Sequence, residues 1–188
     1  STSLGPFDSL KNSLVFTAQS IGTIHDTLVV TSSDSISSPS KIALTGTGVE
    51  IASAVPGTIY AIQSLRVGSS LVRLSSQDAT VMPIGSQDSL SIFAITIRLS
   101  NSQIYAVAPS NKGAFLLRAD SKSGRFYLVR RLSVPNITAI AFNHGDTLFA
   151  GTSTGDLYMT DVSNGLMESI GNSAGTNYAG LCFDPVRG

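Results

Sequence analysis

The chain has no tryptophan, a single cysteine and few charged side chains. A lone cysteine excludes an internal disulfide, and the apolar neighbours of Cys182, Leu181 and Phe183, predict a small buried residue in a strand. A formal net charge of zero leaves no basic stripe for phosphate groups, which argues against nucleic-acid binding. No run of about 18 apolar residues occurs, so the sequence predicts no membrane insertion.

The composition favours an exported bacterial protein. Only 13% of the 188 residues are charged, and serine and threonine are abundant, which gives an uncharged surface rich in hydroxyl groups. We therefore expect an extracellular or cell-surface location. Ser1 to Phe7 lack the basic start and apolar stretch of a signal peptide, and the pattern of the last residues stops at a turn. We expect the natural protein to continue past Gly188.

From about Gly57 onward the chain repeats itself. Two sets of equivalent residues give the period. Successive members of the first set, Ile95, Ile140 and Leu181, are 45 and 41 residues apart. Successive members of the second set, Tyr60, Tyr105 and Phe149, are 45 and 44 residues apart. Such a period, with four short strands in each unit, is typical of a β-propeller blade. An ordinary antiparallel meander or sandwich is the alternative, because blades and meanders share the same local pattern.

Each repeat unit contains four predicted strands. The first strands are Ile92–Ile97, Ile137–Phe142 and Tyr178–Phe183, and the second strands are Thr58–Ile62, Gln103–Val107 and Thr147–Gly151. The third strands are Leu71–Ser75, Phe115–Asp120 and Leu157–Asp161, and the fourth strands are Val81–Gly85, Phe126–Arg130 and Glu168–Gly171. The sequence predicts no helix.

Two of the predicted hairpin turns begin with an aspartate and carry a glycine four residues later. They run from Asp120 to Gly124 and from Asp161 to Gly165, and the glycines suit a positive φ. The aspartates could be offered as calcium ligands, but neither loop has enough oxygen-bearing residues at the spacing of a calcium loop. We predict that each carboxylate instead accepts hydrogen bonds from the amides of its turn.

The repeat resembles a known family. The segment Leu148-Phe149-Ala150-Gly151-Thr152, followed by Gly155-Asp156-Leu157-Tyr158-Met159-Thr160-Asp161, looks like the blades of bacterial WD-like and quinoprotein-like propellers. The resemblance covers about residues 57 to 188 and implies three blades of an open, truncated propeller. It also implies that the first strands line a central channel and that the fourth strands lie outermost.

Residues 1–49 do not follow the repeat. Their closing segment, Leu44-Thr45-Gly46-Thr47-Gly48, resembles the end of a bacterial immunoglobulin-like domain of the choice-of-anchor type, related to hydin. The resemblance implies the C-terminal part of a β-sandwich. The predicted organisation is thus all-β, with a partial sandwich at 1–49, a linker at 50–56 and incomplete propeller blades at 57–188.

The sequence offers no catalytic residue, metal ligand or cofactor motif that we can name. His25 and His144 are the only histidines, at a strand start and in a hairpin turn, where solvated or turn-stabilising roles are favoured over metal ligation. No nucleophile elbow or phosphate-binding glycine loop occurs. A propeller usually binds ligands on its rim loops, here those between second and third strands and between fourth and first strands. The predicted binding residues on these loops are Arg66, Asp88, Asn111, Lys112, Arg131, Asn136, Thr152, Thr154, Asn172 and Asn177.

These observations favour a non-catalytic interaction or adhesion scaffold that meets a protein or a glycan at the rim loops. One alternative is a fragment of a propeller enzyme, of the quinone-dependent dehydrogenase or lactonase type, with its active site in missing blades. Another is an intracellular hydin-like scaffold. An open arc of blades leaves strand edges unpaired, so we expect association with the remaining blades of the same chain or with other molecules.

Overall fold

The computed structural model describes residues 20–31 and 39–184. These residues form thirteen strands in four antiparallel sheets and no helix, which confirms the predicted all-β class. Accordingly, none of them belongs to a helix long and apolar enough to cross a membrane. The chain divides into two compact units, Ser1–Glu50 and Ile51–Gly188.

The described part of the first unit is a two-stranded sheet, sheet 1. It pairs β1 (Gly22–Val30) with β2 (Ser40–Gly48) in antiparallel register from Gly22 opposite Gly48 to Val30 opposite Ser40. Each strand contains two threonines, and β1 also contains two valines, as suits a half-exposed pleated surface. The other elements of the predicted sandwich, at 1–19 and 32–38, lie outside the described residues.

The second unit contains three sheets whose strands follow one another in sequence order. Sheet 2 consists of β3 (Ile59–Ser64), β4 (Ser69–Leu74) and β5 (Val81–Pro83). Sheet 3 consists of β6 (Ala94–Arg98), β7 (Gln103–Ser110), β8 (Gly113–Ala119) and β9 (Phe126–Leu132). Sheet 4 consists of β10 (Ile137–Phe142), β11 (Leu148–Thr152), β12 (Asp156–Thr160) and β13 (Met167–Asn172).

The repeat predicted from the sequence is present in the strand register. Ile95 lies opposite Ala106 in sheet 3, and Ile140 lies opposite Ala150 in sheet 4, so the two residues are equivalent. All predicted repeat strands are confirmed within a few residues, with one exception. No strand is assigned at Tyr178–Phe183, where the described chain provides no neighbouring strand for pairing.

The prediction that Cys182 is buried is wrong, because its thiol-bearing side chain is exposed. Leu181 and Phe183 on either side are half-buried, so the segment has the alternation of a strand with one covered face. A buried Cys182 would require a sheet on the other face, and none covers it among residues 39–184.

Sheets 3 and 4 share the largest apolar cluster. Their first strands, β6 and β10, lie side by side, and Leu116 of sheet 3 is packed in one cluster with Ile140 and Phe142 of sheet 4. The ring of Tyr105 meets the ring of Phe142 edge-on, with centroids 5.1 Å apart. This geometry is favourable for aromatic pairs.

Sheet 2 packs on the opposite face of sheet 3. Leu71 and Ile84 of sheet 2 are buried in one cluster with Ile104 of β7. Residues 51–54, within the stretch that the sequence predicts as a linker, are hydrogen bonded to sheet 3. The amide of Ala54 donates to the carbonyl of Ser102 at 2.7 Å.

Candidate functional site

The antiparallel order of sheets 2 to 4 sorts their loops into two ends. The connections between second and third strands and between one sheet and the next lie at one end, which we call the rim end. The turns between first and second strands and between third and fourth strands lie at the other end, which we call the turn end. The predicted binding residues belong to the rim end or to the strand residues that border it.

Four predicted residues come together at the rim end of sheet 4. The amide of Asn172 donates to Oδ1 of Asp156 at 2.6 Å, and the hydroxyl of Thr154 donates to Oδ2 at 2.7 Å. The hydroxyl of Thr152 lies 3.0 Å from that of Thr154. Asn136 adopts a positive φ of 57°, and its carbonyl accepts a hydrogen bond from Ser153.

Asp156 organises this cluster, and the sequence analysis missed it as a site residue. Hydrogen bonds from Thr154 and Asn172 hold the pKa of its carboxyl below the ordinary value, so the group is ionised at neutral pH. In the sequence Asp156 lies within a strand pattern, Gly-Asp-Leu-Tyr, and nothing in that pattern marks it as a member of a polar cluster. Because the polar groups of the cluster satisfy one another, it stabilises the loop between β11 and β12.

The other predicted residues do not join this cluster. Arg131 lies over the ring of Phe115 at 5.0 Å, and Asp88 accepts a hydrogen bond from the amide of Leu90 at 3.1 Å. Asp88 also lines a small pocket of about 410 Å³ beside Phe126. The remaining predicted residues stay apart on exposed loops; these are Arg66 before β4, Asn111 and Lys112 between β7 and β8, and Asn177 after β13.

A larger groove, of about 780 Å³, lies at the turn end of sheets 3 and 4. We call it the turn-end groove. Its apolar side chains are Met159, Val162, Leu166 and Met167, and its charged side chains are Arg98, Asp146, Asp161 and Glu168. Leu166 is 71% exposed, so a large apolar side chain faces solvent at this groove. Hydrophobic periodicity did not predict this groove, because strands of two sheets and two separate turns contribute to it.

The groove carries an excess of negative charge. Arg98 Nε lies 3.3 Å from Oδ2 of Asp146, so one carboxylate is paired with the arginine of the neighbouring sheet. Hydrogen bonds from Ser100, together with the charge of Arg98, hold the pKa of Asp146 below its ordinary value. Asp161 and Glu168 add two carboxylates to the lining. The guanidinium of Arg130 donates to the carbonyl of Asn164 at 3.3 Å and partly offsets the charge of Asp161, so three carboxylates stand against two arginines.

The turn aspartates accept hydrogen bonds from their own turns, as predicted. Asp120 Oδ1 accepts from the amides of Lys122 and Ser123, at 2.9 and 2.7 Å. Asp161 Oδ1 accepts from the amide of Ser163 at 2.8 Å. Asp120 has an additional role, since its Oδ2 accepts a hydrogen bond from the amide of Ala52 at 2.9 Å.

These carboxylates hold their turns in place by accepting hydrogen bonds. The hydroxyl and amide of Ser163 hold the pKa of Asp161 below its ordinary value. General acid–base catalysis at neutral pH calls for a pKa near 7, whereas a lowered pKa keeps a carboxylate ionised and hydrogen bonded. Among residues 20–31 and 39–184, no three His, Cys, Asp or Glu side chains gather as a metal site would require.

No protein-family model matches the chain, and no curated protein sequence matches it either. Among solved structures, the chain is similar to one in the crystal structure of a nidogen/laminin complex, with a TM-score of 0.53 and 19% identity. The match covers 70% of this chain and 50% of that chain, so this chain spans about half of that neighbour's length. At this identity the likeness shows a shared fold alone.

Proposed function

We propose that the chain is a non-catalytic interaction module that binds a protein partner in the turn-end groove. The observation that carries the proposal is the groove itself, in which exposed Leu166 and Met159 lie beside the carboxylates of Asp161 and Glu168. A concave apolar surface with a few fixed polar groups is the usual form of a binding site. The excess of carboxylates favours a partner segment with lysine or arginine beside apolar residues.

The finer architecture is also a proposal. We infer that sheets 2, 3 and 4 are successive blades of a propeller and that sheet 1 belongs to an immunoglobulin-like domain of the choice-of-anchor type. The adjacent first strands β6 and β10 and the equivalent registers of sheets 3 and 4 support the blades. The nidogen/laminin complex contains a similar fold, which agrees with a role in protein assembly.

We further propose a secreted or cell-surface location in a bacterium. The support is compositional, because few charges and many hydroxyl groups are typical of exported proteins. The rim-end cluster around Asp156 is the competing binding surface, and a glycan would be the partner that its hydroxyl and amide groups suit.

A peptide library displayed on phage and selected on the immobilised chain tests the groove against the rim. We expect enriched peptides to combine basic and apolar residues, and to lose binding to the Leu166→Asp and Glu168→Lys variants. The matched control is Thr154→Lys, an exposed rim-end substitution that should leave binding unchanged. Peptides that bind Leu166→Asp normally and fail on Thr154→Lys would contradict the groove and favour the rim.

A further inference from the structure

A short segment of the chain, Ile51–Ala54, already fills the turn end of sheet 3. The amide of Ala52 donates to Oδ2 of Asp120 at 2.9 Å, and the carbonyl of Ala52 accepts from the amide of Ser121 at 3.1 Å. The hydroxyl of Ser121 also donates to the carbonyl of Ser53. Main-chain groups of the segment make all three of these contacts, so its position depends little on the side chains that it carries.

Sheet 4 has an equivalent place. The register of its second and third strands makes Thr160 of β12 the counterpart of Ala119 in β8. The two residues that follow Thr160, Asp161 and Val162, are therefore the counterparts of the two that hold Ala52. Thr160, Asp161 and Val162 all line the turn-end groove. The groove is thus the sheet 4 counterpart of the place that the segment fills on sheet 3.

Polar groups in the groove lack the partners that their counterparts have. Thr160 is 1% exposed, and its Oγ1 has no hydrogen-bond partner among the described residues. Its counterpart Ala119 carries no polar group there and is packed in one cluster with Ala54. The amide of Val162 has no acceptor in the described part of the chain, whereas the amide of Ser121 donates to the segment. Because buried polar groups are normally hydrogen bonded, these open groups indicate a ligand.

We propose that the protein partner enters the groove as an extended segment, which pairs with Asp161 and Val162 as Ile51–Ala54 pairs with its own turn in sheet 3. This inference rests on the proposed function and specifies its binding mode. One partner residue donates its amide to Oδ2 of Asp161 and accepts from the amide of Val162. Oδ2 of Asp161 already accepts from the side chain of Asn164 at 2.6 Å, and a carboxylate oxygen can accept a second hydrogen bond.

The charges of the groove select the side chains of such a segment. Arg98 pairs with Asp146, and Arg130 partly offsets the charge of Asp161. Glu168 makes no ion pair with any residue that the structure describes. In recognition by an added extended segment, main-chain hydrogen bonds supply affinity and side-chain contacts supply specificity. We therefore expect small residues at the main-chain contacts and a lysine or arginine beside Glu168.

Fluorescence anisotropy with a synthetic peptide tests the main-chain pairing. The labelled probe, Lys-Ile-Ala-Ser-Ala-Lys, copies residues 51–54 and adds a lysine at each end. N-methylation of its first alanine, the counterpart of Ala52, should weaken binding to the full chain about tenfold or more, because a hydrogen bond to a carboxylate is lost. The matched control is N-methylation of the serine, since the amide of Ser53 makes no hydrogen bond within the described residues. It should change the affinity little.

Two chain variants locate the effect of the methyl group. On Asp161→Asn, methylation of the first alanine should make little further difference, whereas on Asp120→Asn, in the equivalent turn of sheet 3, the full loss should remain. A peptide that does not bind, or that binds equally well with the methylated alanine, would overturn the extended pairing. Phage-selected peptides that still require Leu166 would then leave the proposed function standing, because that selection does not depend on the binding mode.

Amide hydrogen exchange followed by NMR tests the pairing without a substitution. In the free chain the amide of Ser121 should exchange more slowly than that of Val162, because only Ser121 has an acceptor. Saturating amounts of the same peptide should slow exchange at Val162 and leave Ser121 unchanged. Peptide-induced shifts at Leu166 without slower exchange at Val162 would contradict the pairing and still support binding in the groove.

Discussion

Sheets 3 and 4 have the same four-stranded order and the same register, yet their environments differ. Sheet 3 lies between sheets 2 and 4, and β7 and β8 are almost entirely buried. Sheet 4 packs on sheet 3 with one face, while β13 on its outer edge is largely exposed. Similar sequences at equivalent positions therefore experience different burial, which makes the pair an internal control for packing.

The largest expected difference concerns a leucine in the third strand of each sheet. Leu116 is fully buried between sheets 3 and 4, whereas its counterpart Leu157 is half-buried on the open face of sheet 4. We expect Leu116→Ala to lower the free energy of unfolding by about 2–5 kcal/mol, the usual cost of a core cavity. Leu157→Ala should cost clearly less, as measured by urea titration of both variants.

The comparison would fail if the two variants were destabilised equally. In that case the face of sheet 4 would be covered in solution, and the equivalence of the two sheets would extend to their burial.

The next largest difference is expected between the glycines that end the turns Asp120–Gly124 and Asp161–Gly165, in the stability lost on substitution by alanine. Gly124 has a φ of +71°, and a Cβ there would lie 1.9 Å from the carbonyl oxygen of Ile84, which is backbone and cannot yield easily. At Gly165 the nearest atom is the side-chain Cδ of Arg130, at 2.5 Å. We expect Gly124→Ala to cost more than Gly165→Ala, because both share the strain of positive φ, about 1 kcal/mol, and only Gly124 meets a backbone atom first. Thermal unfolding of both variants measures the difference.

The aspartates of the same turns give a smaller contrast. Asp120→Ala removes hydrogen bonds to Ala52, Lys122 and Ser123, and we expect a loss of about 1–3 kcal/mol in unfolding free energy. Asp161→Ala removes hydrogen bonds within an exposed turn only and should cost less. Equal losses would show that the hydrogen bond from the Ala52 amide to Asp120 contributes nothing to the free energy of unfolding.

Acid titration provides the control for this contrast. Partial burial opposes ionisation of Asp120, but hydrogen bonds from Ala52, Ser123 and Lys122 outweigh it and lower its pKa from the ordinary 3.8. A lowered folded pKa gives stability that is present above pH 3.8 and is lost as the pH falls through the folded value. Asp120→Ala should therefore lose less stability than the wild type on acidification below that pH.

The smallest effect is expected in the corresponding turn of sheet 2. Ala79 holds the position of Gly124 and Gly165 and has a φ of 57°, which is unfavourable for a residue with a Cβ. Ala79→Gly should raise the unfolding free energy by up to about 1 kcal/mol, measured by urea titration. A loss of stability would mean that the Ala79 side chain makes a contact that offsets its backbone strain.

The strands of the repeat were predictable because their information is local. Alternating apolar residues and turns such as Asp161 to Gly165 fix each hairpin from neighbouring residues. The segment Tyr178–Phe183 was predicted as a strand on the same pattern, but a strand needs a partner edge as well as a pattern. Cys182 is exposed for the same reason.

The candidate site was less predictable than the fold. Topology predicted which loops share the rim end, and Thr152, Thr154 and Asn172 do meet there. It could not show that Asp156 ties them together, since that depends on side-chain geometry. The turn-end groove is lined by Arg98 of one sheet and Leu166 of the next, and no spacing in the sequence predicts that these two residues lie at one site.

The central claim is that Tyr178–Phe183 lies against sheet 4 as β10 lies against sheet 3. The ring centroids of Phe149 and Phe183 are 4.8 Å apart, and those of Tyr105 and Phe142 are 5.1 Å apart. Double-mutant cycles on the two aromatic pairs, with each ring replaced by leucine, test it directly. We expect similar coupling energies of about 0.5–1.5 kcal/mol for Tyr105 with Phe142 and for Phe149 with Phe183. Coupling in the first pair and none in the second would contradict the claim.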